Sequence, residues 1–322
     1  MKLKDHRPHR VSPPDLSINL CGFQLKNPII AASGTFGYGV EFEEVVSLEK
    51  LGGFVVKGLS KEPMVGNPPP RLFETAAGML NAIGLQNIGV RAFLEEKLPL
   101  LRWLKDTAIF ANVFGHTHRD YEAVIEALNG GEGITAYELN VSCPNTEYGG
   151  MAFGSDPRSL QEVVSAAKRV ANRPIIVKLS PNVTSIPLMA RAAQDAGADA
   201  LSLVNTFVGM AIDVETRRPR LGNVTGGLSG PAIKPIAVRM VYEAAHSVDI
   251  PVIGLGGITT ASDVIEFMLA GAAAVEIGTA NFWDPCATEK IVDAVEGWCV
   301  EHRVDRIADL VGGMQLEPAG SS

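Results

Sequence analysis

The chain has few cysteines, and their spacing suits neither a metal cluster nor a disulfide framework. Its 322 residues include Cys21, Cys143, Cys286 and Cys299, with no CxxC pair and no ferredoxin-type spacing. Iron–sulfur clusters need closely spaced thiolates, and disulfide-stapled domains need a set of paired cysteines. The sequence therefore excludes both kinds of protein, and each cysteine has to be considered on its own.

Long apolar runs and an excess of positive charge are also missing. No uninterrupted apolar run approaches the about 18 residues that a membrane span needs. The N-terminal segment MKLKDHRPHRVSPPDL is basic but lacks the apolar core of a secretory signal. A formal net charge of −8 disfavours a general affinity for nucleic acid or anionic lipid. We expect a cytoplasmic protein whose partners include neither nucleic acid nor a membrane.

Short β-branched runs alternate with amphipathic stretches from Pro28 to about His302, which is typical of successive βα units. The eight candidate strands are Pro28 to Ala32, Gly53 to Gly58, Ala108 to Val113, Ala136 to Val141, Pro174 to Leu179, Ala200 to Asn205, Pro251 to Leu255 and Ala273 to Gly278. The predicted fold is α/β, a closed (β/α)8 TIM barrel. It forms one domain over residues 16–314, between flexible ends at 1–15 and 315–322.

Other segments complete the predicted architecture. Helices are expected at Phe42 to Leu51, Asp156 to Ala171 after a capping Ser155, Ile186 to Ala196, and Ser262 to Ala270. The stretch from Leu16 to Leu25, with Gly22 inside it, predicts a small hairpin at the barrel floor. Two connections are too long for plain loops, and such segments are usually lids or binding elements. They are Ser60 to Ile88 after strand two and Phe207 to Ser229 after strand six.

Cys143 follows the fourth predicted strand, in the run ELNVSCPN. A free cysteine is most often a buried and inert packing residue. Here the neighbours Asn140, Ser142 and Asn145 are polar, which suits a site better than a core. Catalytic groups of barrels collect at strand ends, so Cys143 is a candidate nucleophile or base.

Two glycine-containing segments end the last two strands, GLGGI at residues 254–258 and EIGTA at 276–280. Glycine lets backbone N–H groups approach a phosphate closely, and the loops after strands seven and eight usually bind phosphate in such barrels. Thr279 can add a hydroxyl donor. Although a GG pair alone often only turns the chain, the two segments together predict a phosphate site.

Two lysines, Lys57 in VVKGLS and Lys178 in IIVKLSPN, end predicted strands. A lysine that points into a barrel mouth needs an anionic partner because an unpaired buried ammonium is unfavourable, whereas a rim lysine would reach water. Each of these lysines could be a Schiff-base amine or a cation that stabilises a developing anion.

Many side-chain amides stand at strand ends or in the long loop, and they favour a planar polar ligand such as a uracil-like or flavin ring. They are Asn81, Asn112, Asn140, Asn145 and Asn205.

The sequence GHTH at residues 115–118 suggests a metal pair, but no cysteine or carboxylate cluster accompanies it. We therefore interpret it as structural.

Ten segments in chain order resemble one family: NPIIAASGTFG, VVKGLS, GMLNAIGLQN, ANVFG, ELNVSCPN, IIVKLSPN, LVNT, GGLSG, GLGGI and EIGTA. They are similar to segments of the dihydroorotate dehydrogenases, and the match spans about Leu16 to Gly313. A single GG or SCPN would be weak, but ten segments in register make the resemblance specific. It implies a (β/α)8 barrel that binds FMN, with dihydroorotate lying on the flavin ring.

The resemblance also implies residue roles. FMN would be held by Ser33, Lys57, Gly58, Asn112, Asn140, Lys178, Val204, Gly230, Gly256, Gly257, Gly278 and Thr279, the last four around its phosphate. Dihydroorotate would be held by Lys57, Asn81, Ala82, Ile83, Gly84, Leu85, Asn140, Asn145, Asn205 and Thr206. Cys143 takes the place of the catalytic base. The membrane-linked, quinone-using class has serine there and an extra N-terminal membrane-associating segment, and the chain resembles it in neither respect.

Within the family, the loop GMLNAIGLQN, through Leu80 and Gln86, is similar to the NAD-linked class 1B. The fumarate-using class 1A typically shows NSMGLPN. The implied reaction oxidises (S)-dihydroorotate to orotate in pyrimidine biosynthesis: Cys143 takes the C5 proton, and the C6 hydride passes to N5 of FMN. Lys178 would stabilise negative charge near N1 of reduced flavin.

A partner is also implied. No G-x-G-x-x-G follows an early strand, so NAD is not expected to dock here in the ordinary way. Class 1B membership implies that electrons pass to a second subunit with FAD and a [2Fe-2S] cluster, which reduces NAD. The implied assembly is a homodimer core within a heterotetramer.

Four alternatives stay open. The chain could belong to class 1A, or resemble the FMN domain of dihydropyrimidine dehydrogenase, which the missing extra cysteines disfavour. A phosphate-binding barrel aldolase with a Schiff base on Lys57 or Lys178 is another alternative, as is an inactive binding barrel.

Overall fold

The structure is a computed structural model that describes residues 13–142, 144–145 and 151–316. Cys143, the predicted base, lies outside the described residues. So do residues 1–12 and 317–322, which make up most of the two predicted flexible ends.

Eight parallel strands close into a barrel, which confirms the predicted fold. Each strand is short and rich in Val, Ile and Ala, as expected of strands buried on both faces. Numbered in chain order with the strands described below, they are β3 (Ile29–Ala31), β4 (Gly53–Val55), β7 (Ala108–Val113), β8 (Ala136–Asn140), β11 (Ile175–Lys178), β12 (Ala200–Leu203), β17 (Val252–Leu255) and β18 (Ala274–Ile277). The ring closes because β18 pairs with β3.

The α-helices connect and surround these strands. They are α1 (Gly89–Ala92), α2 (His118–Asn129), α3 (Pro157–Val170), α4 (Ile186–Asp195), α5 (Lys234–Ala245), α6 (Ala261–Leu269), α7 (Ala280–Trp283) and α8 (Ala287–His302). A π-helical turn, Phe93–Lys97, and a 3-10 turn, Leu98–Leu101, extend α1. In the described part of the chain, no helix is both long and apolar enough to cross a membrane.

Three of the four predicted helices are confirmed as α3, α4 and α6. The capping residue predicted for α3 is wrong: Asp156, rather than Ser155, accepts a hydrogen bond from the backbone N–H of Ser159. Residue Ser155 instead ends a separate 3-10 turn, Phe153–Ser155.

The helix predicted at Phe42 to Leu51 is wrong. Two 3-10 turns, Val40–Phe42 and Leu48–Lys50, stand there instead. The β-branched pair Val45–Val46 and Ser47 disfavour a helix. Ser47 has an extended backbone, and its N–H donates to the carboxylate of Glu289 on α8. This contact with α8 takes the place of a hydrogen bond within a helix.

The predicted floor hairpin is confirmed as β1 (Ile18–Leu20) and β2 (Phe23–Leu25). Cys21 and Gly22 form its turn, and both have positive φ angles of 51° and 86°. Leu20 and Leu25 are buried in one cluster with inward-facing residues of the barrel strands, among them Ile176. The hairpin therefore closes the floor of the barrel.

The two long connections pair with each other. The first carries β5 (Leu72–Thr75) and β6 (Gly78–Asn81), and the second carries β13 (Phe207–Met210), β14 (Ile212–Asp213), β15 (Arg218–Pro219) and β16 (Thr225–Ser229). Strands β13, β16, β6 and β5 form one antiparallel sheet because β16 pairs with β6. The remaining strands, β9 (Pro144–Asn145) and β10 (Met151–Ala152), form a short pair after β8.

The barrel interior changes from apolar to polar along its axis. Side chains two residues apart in a strand share a face, so Ile176 of the apolar floor is followed by Lys178 in β11. The same step leads from Ala136 to Glu138 in β8 and from Ala274 to Glu276 in β18. The barrel end that the hairpin covers is therefore apolar, and the charged side chains lie one layer above it.

Candidate active site

A cavity of about 500 Å³ lies at the carboxyl ends of the barrel strands, bordered by both long connections. This volume is typical of small-molecule sites. Every predicted binding residue whose side chain the structure describes lines this cavity: Ser33, Lys57, Gly58, Asn81, Ala82, Ile83, Gly84, Leu85, Asn112, Asn140, Lys178, Val204, Asn205, Thr206, Gly230, Gly256, Gly257, Gly278 and Thr279. The side chain of Asn145 and the whole of Cys143 lie outside the described part.

Lys178 is 5% exposed and forms ion pairs with two buried carboxylates. Its Nζ lies 2.8 Å from Oε2 of Glu276 and 3.3 Å from Oε1 of Glu138. Burial works against the charge of Lys178, but these two carboxylates raise its pKa above the ordinary value. Lys178 therefore has two anionic partners where one was predicted, and its ammonium stays charged at the inner end of the cavity.

Glu138 accepts hydrogen bonds from three donors, which are Lys178, Asn112 and Ser202. Asn112 donates from Nδ2 to Oε2 across 2.6 Å, and the hydroxyl of Ser202 donates to Oε1 across 2.7 Å. Burial opposes ionisation, but the charge of Lys178 and these hydrogen bonds lower the pKa of Glu138. Asn112, predicted to touch the cofactor, is thus tied to the barrel interior.

Glu276 is 2% exposed and shares the ammonium of Lys178 with Glu138. Burial and the negative charge of Glu138 raise the pKa of Glu276 to about 8, although Lys178 acts in the opposite direction. The two carboxyl groups therefore differ, because the pKa of Glu138 is lowered and that of Glu276 is raised.

Lys57 stands on the opposite side of the site, two residues after β4 ends, and forms no ion pair with any residue that the structure describes. Burial and the charge of Arg71 lower its pKa. Arg71 precedes β5 and donates from Nη1 to Oε1 of Gln86 across 2.8 Å. Lys57 is therefore a partly desolvated cation beside the cavity, and it is suited to an anionic ligand group.

The asparagines of the site come from different strand ends but form one network. Asn205, just after β12, donates from Nδ2 to Oδ1 of Asn140 across 3.2 Å and to the hydroxyl of Ser142 across 3.0 Å. Asn81 at the end of β6 donates to the backbone oxygen of Gly227 across 3.2 Å. The cavity wall thus presents fixed amide groups, which suit a planar ligand with donors and acceptors.

The glycine segments after β17 and β18 form a backbone cradle. Gly256 and Gly257 have φ angles of 129° and 78°. A Cβ atom on Gly257 would lie 2.7 Å from the backbone oxygen of Gly230, so only glycine fits there. Among the described residues, no hydrogen bond takes up the backbone N–H of Gly257, Gly278 or Thr279. Free N–H donors in a cavity wall suit the oxygens of a phosphate.

The histidines of the GHTH segment lie elsewhere. His118 begins α2, and its ring is tilted by 55° from that of Phe153, with centroids 5.4 Å apart. In the described ranges, no group of three His, Cys, Asp or Glu side chains could hold a metal.

Sequence reasoning missed Glu138 and Glu276. The sequence predicted an anionic partner for a lysine that points into the barrel, but it did not indicate which residue is that partner. The available signal was a glutamate within each of two otherwise apolar strands, YELN and AVEI, because a carboxylate in a buried strand needs a cation or a proton. Residue Ser229, whose hydroxyl accepts a hydrogen bond from Thr279 across 2.8 Å, was missed too.

The sequence model described as dihydroorotate dehydrogenase matches residues 15–298. This chain belongs to the dihydroorotate dehydrogenase family. The family prediction is therefore confirmed, and the chain is a member of an enzyme family with a flavin-dependent oxidoreductase activity.

The relatives differ in the class that their names give. A protein of Solibacter usitatus named putative dihydroorotate dehydrogenase A (fumarate) is 61% identical over 94% of this chain and 99% of its own length. A protein of Pelobacter propionicus named dihydroorotate dehydrogenase B (NAD(+)), catalytic subunit, is 53% identical over the same shares. A protein of Geobacter sulfurreducens with that second name is 52% identical, again over 94% and 99%.

A solved structure shows the same fold. The crystal structure of the enzyme from Eimeria tenella in complex with ferulenol superposes with a TM-score of 0.78. It covers 95% of this chain and 90% of the other, at 21% sequence identity.

Proposed function

We propose that this chain oxidises (S)-dihydroorotate to orotate with FMN bound in the cavity. The observation that carries the proposal is the convergence of the predicted residues on one cavity in a chain of this family. The cavity has a cradle of free N–H donors, fixed amides and two lysines. These are the groups that a phosphate, a pyrimidine ring and a carboxylate require.

The chain's residues fit FMN. Gly256, Gly257, Gly278 and Thr279 would hold its phosphate, where backbone donors without partners support the assignment. Asn112, Asn140 and Lys178 would hold the ring side, where Lys178 supplies a fixed positive charge. Bound FMN would supply the acceptor for the hydride that leaves C6 of the substrate.

Dihydroorotate would be held by the loop from Asn81 to Leu85 and by Lys57, Asn140, Asn145, Asn205 and Thr206. Lys57 is the group that we assign to the substrate carboxylate, because it is a partly desolvated cation with no ion-pair partner among the described residues. A charge-assisted contact of this kind is stronger than a neutral hydrogen bond.

Cys143 would remove the C5 proton. A thiol of ordinary pKa is only a few per cent thiolate at neutral pH, so the rate should rise toward alkaline pH unless the site favours the thiolate. Support comes from the neighbouring Asn205 to Ser142 hydrogen bond, which fixes the chain one residue before Cys143.

For the electron acceptor we propose the NAD-linked class, with electrons passing to a partner subunit that carries FAD and [2Fe-2S]. The assembly would be a homodimer with one partner on each protomer. Several relatives at 50–53% identity carry the NAD(+) catalytic-subunit name. The class that uses fumarate is a second candidate, because the relative at 61% identity is named for it.

The test is an acceptor assay on the purified chain. We expect a yellow protein that reduces artificial dyes with dihydroorotate but reduces NAD only after its partner is added. Rapid fumarate reduction by the chain alone would assign it to the fumarate class. A colourless protein that gains no flavin spectrum on reconstitution with FMN would contradict the whole proposal.

Of the two lysines in the aldolase alternative, Lys178 is disfavoured as the Schiff-base amine. A Schiff base needs a neutral amine, and two carboxylates keep this ammonium charged.

A further inference from the structure

Glu138, Lys178 and Glu276 form what we call the interior ion cluster, one layer above the apolar barrel floor. They extend inward from β8, β11 and β18, and Asn112 of β7 and Ser202 of β12 complete their surroundings. Among the described residues, no other charged side chain pairs with them. Glu276 and Lys178 line the cavity.

If every group were in its ordinary charge state at neutral pH, the interior ion cluster would be one proton short of neutral. Two carboxylates and one ammonium would carry a net charge of −1 in a site where every member is at most 5% exposed. Nζ of Lys178 lies 3.3 Å from Oε1 of Glu138 and 2.8 Å from Oε2 of Glu276, so the two buried carboxyl groups share one ammonium. Adjacent buried carboxyl groups therefore hold a single proton between them.

The hydrogen bonds decide which carboxyl group holds that proton. Both oxygens of Glu138 already accept hydrogen bonds, Oε1 from Ser202 and Oε2 from Asn112. Among the described residues, Glu276 accepts a hydrogen bond only from the ammonium of Lys178, on Oε2. The proton belongs on Glu276, because it can donate to the carboxylate of Glu138 there.

We propose that Glu276 is a neutral carboxylic acid that donates a hydrogen bond to the carboxylate of Glu138, and that its proton keeps the interior ion cluster uncharged so that the cavity accepts anionic ligands. Glu276 is then a positioning residue, because it acts through the charge balance around Lys178. Its effect on ligands rests on the proposed function, since FMN and dihydroorotate are both anions.

The proposal has a defined pH dependence. When Glu276 loses its proton, the cluster changes from neutral to −1, and an anionic ligand in the cavity binds more weakly. Lys57 also faces the cavity and loses its charge as pH rises, which acts in the same direction. Replacing Glu276 by glutamine separates the two effects, because glutamine mimics the protonated acid, cannot ionise and leaves Lys57 in place.

The first measurement uses the full-length protein without FMN. Infrared spectra should contain the carbonyl band of a buried protonated carboxylic acid, which shifts in D2O and disappears as the pH is raised through about 8. The band should be absent in Glu276→Gln and unchanged in Glu44→Gln, a matched change at an exposed glutamate. A band that survives in Glu276→Gln, or no band in the wild type near pH 6.5, would overturn the proposal.

The second measurement is the dissociation constant of FMN as a function of pH. Affinity of the wild type and of Glu44→Gln should fall by up to about tenfold per pH unit above the transition. The fall should be clearly smaller in Glu276→Gln. Equal pH profiles in all three proteins would overturn the role in ligand binding. If FMN does not bind at any pH, the proposed function fails, while the infrared band still tests Glu276. If Glu276→Gln does not fold, the wild-type infrared titration alone decides.

Discussion

Asn205 donates a hydrogen bond from its side-chain Nδ2 to Oδ1 of Asn140 across 3.2 Å. The two residues follow β12 and end β8, which are not neighbours in the barrel because β11 lies between them. Asn140 Oδ1 in turn accepts from the backbone N–H of Ser142. The side-chain amide of Asn205, just after β12, thus fixes the chain that leads from the end of β8 to Cys143.

Asn205→Ala should reduce kcat/KM for dihydroorotate by about 10–100-fold, because two hydrogen bonds worth about 1 kcal/mol each are lost together with the substrate contact. Bound FMN should be retained. Asn172→Ala is the control, since the side-chain amide of Asn172 also donates a hydrogen bond but does not line the cavity. Wild-type kinetics in Asn205→Ala would remove this residue from the site.

Cys143→Ala should keep FMN and lose dihydroorotate oxidation by about 10²-fold or more, the usual contribution of a positioned general base. Steady-state kinetics and the flavin spectrum check both parts. Cys286→Ala should behave as the wild type, because that thiol donates to the backbone oxygen of Val45 and does not line the cavity. Full turnover in Cys143→Ala would mean that another group is the base.

Gly278→Asp should fold and remain colourless. A Cβ atom on Gly278 would meet Ala32 at 3.6 Å, an ordinary contact, so the backbone tolerates a side chain there. The added carboxylate would repel a phosphate at the cradle. Gly278→Ala tests the space without the charge and should keep most of the flavin. Equal flavin absorbance in the two variants after desalting would contradict the phosphate assignment.

Lys178→Met should lower the free energy of unfolding by about 3–5 kcal/mol, the usual effect of breaking a buried ion pair from one side. The double change Lys178→Met with Glu138→Gln should recover part of that loss, because it also removes the carboxylate that the lost lysine leaves unpaired. Urea denaturation measures both. Lys50→Met, at an exposed ion pair, should change stability little. A double variant no more stable than Lys178→Met would contradict the coupling.

The stability of the wild type relative to Glu276→Gln should fall as pH rises. The pKa of Glu276 is raised from 4.5 to about 8, so the folded state binds more protons than the unfolded state between these values. The unfolding free energy therefore decreases with pH across this window. Thermal unfolding midpoints from pH 5 to 9 test it, and parallel curves for the two proteins would count against the raised pKa.

Local patterns were sufficient for much of the fold. Eight apolar runs with helical stretches between them predicted the barrel, and Gly22 marked the turn of the floor hairpin. The segment from Phe42 to Leu51 failed because its helical appearance is overridden by contacts with α8, such as the bond from Ser47 to Glu289. A distant contact of this kind leaves no local signal.

The sequence by itself determined the family, the barrel, the glycine segments and those cavity residues that stand at strand ends or in the long loops, because each depends on residue types at fixed spacing along one strand or loop. The tertiary structure alone decided which groups meet. Residues Glu138, Lys178 and Glu276 are 40 and 98 positions apart along the chain, and only barrel closure brings them within ion-pair distance. The charge of a buried group depends on such neighbours, so the proton on Glu276 could not be read from its own strand.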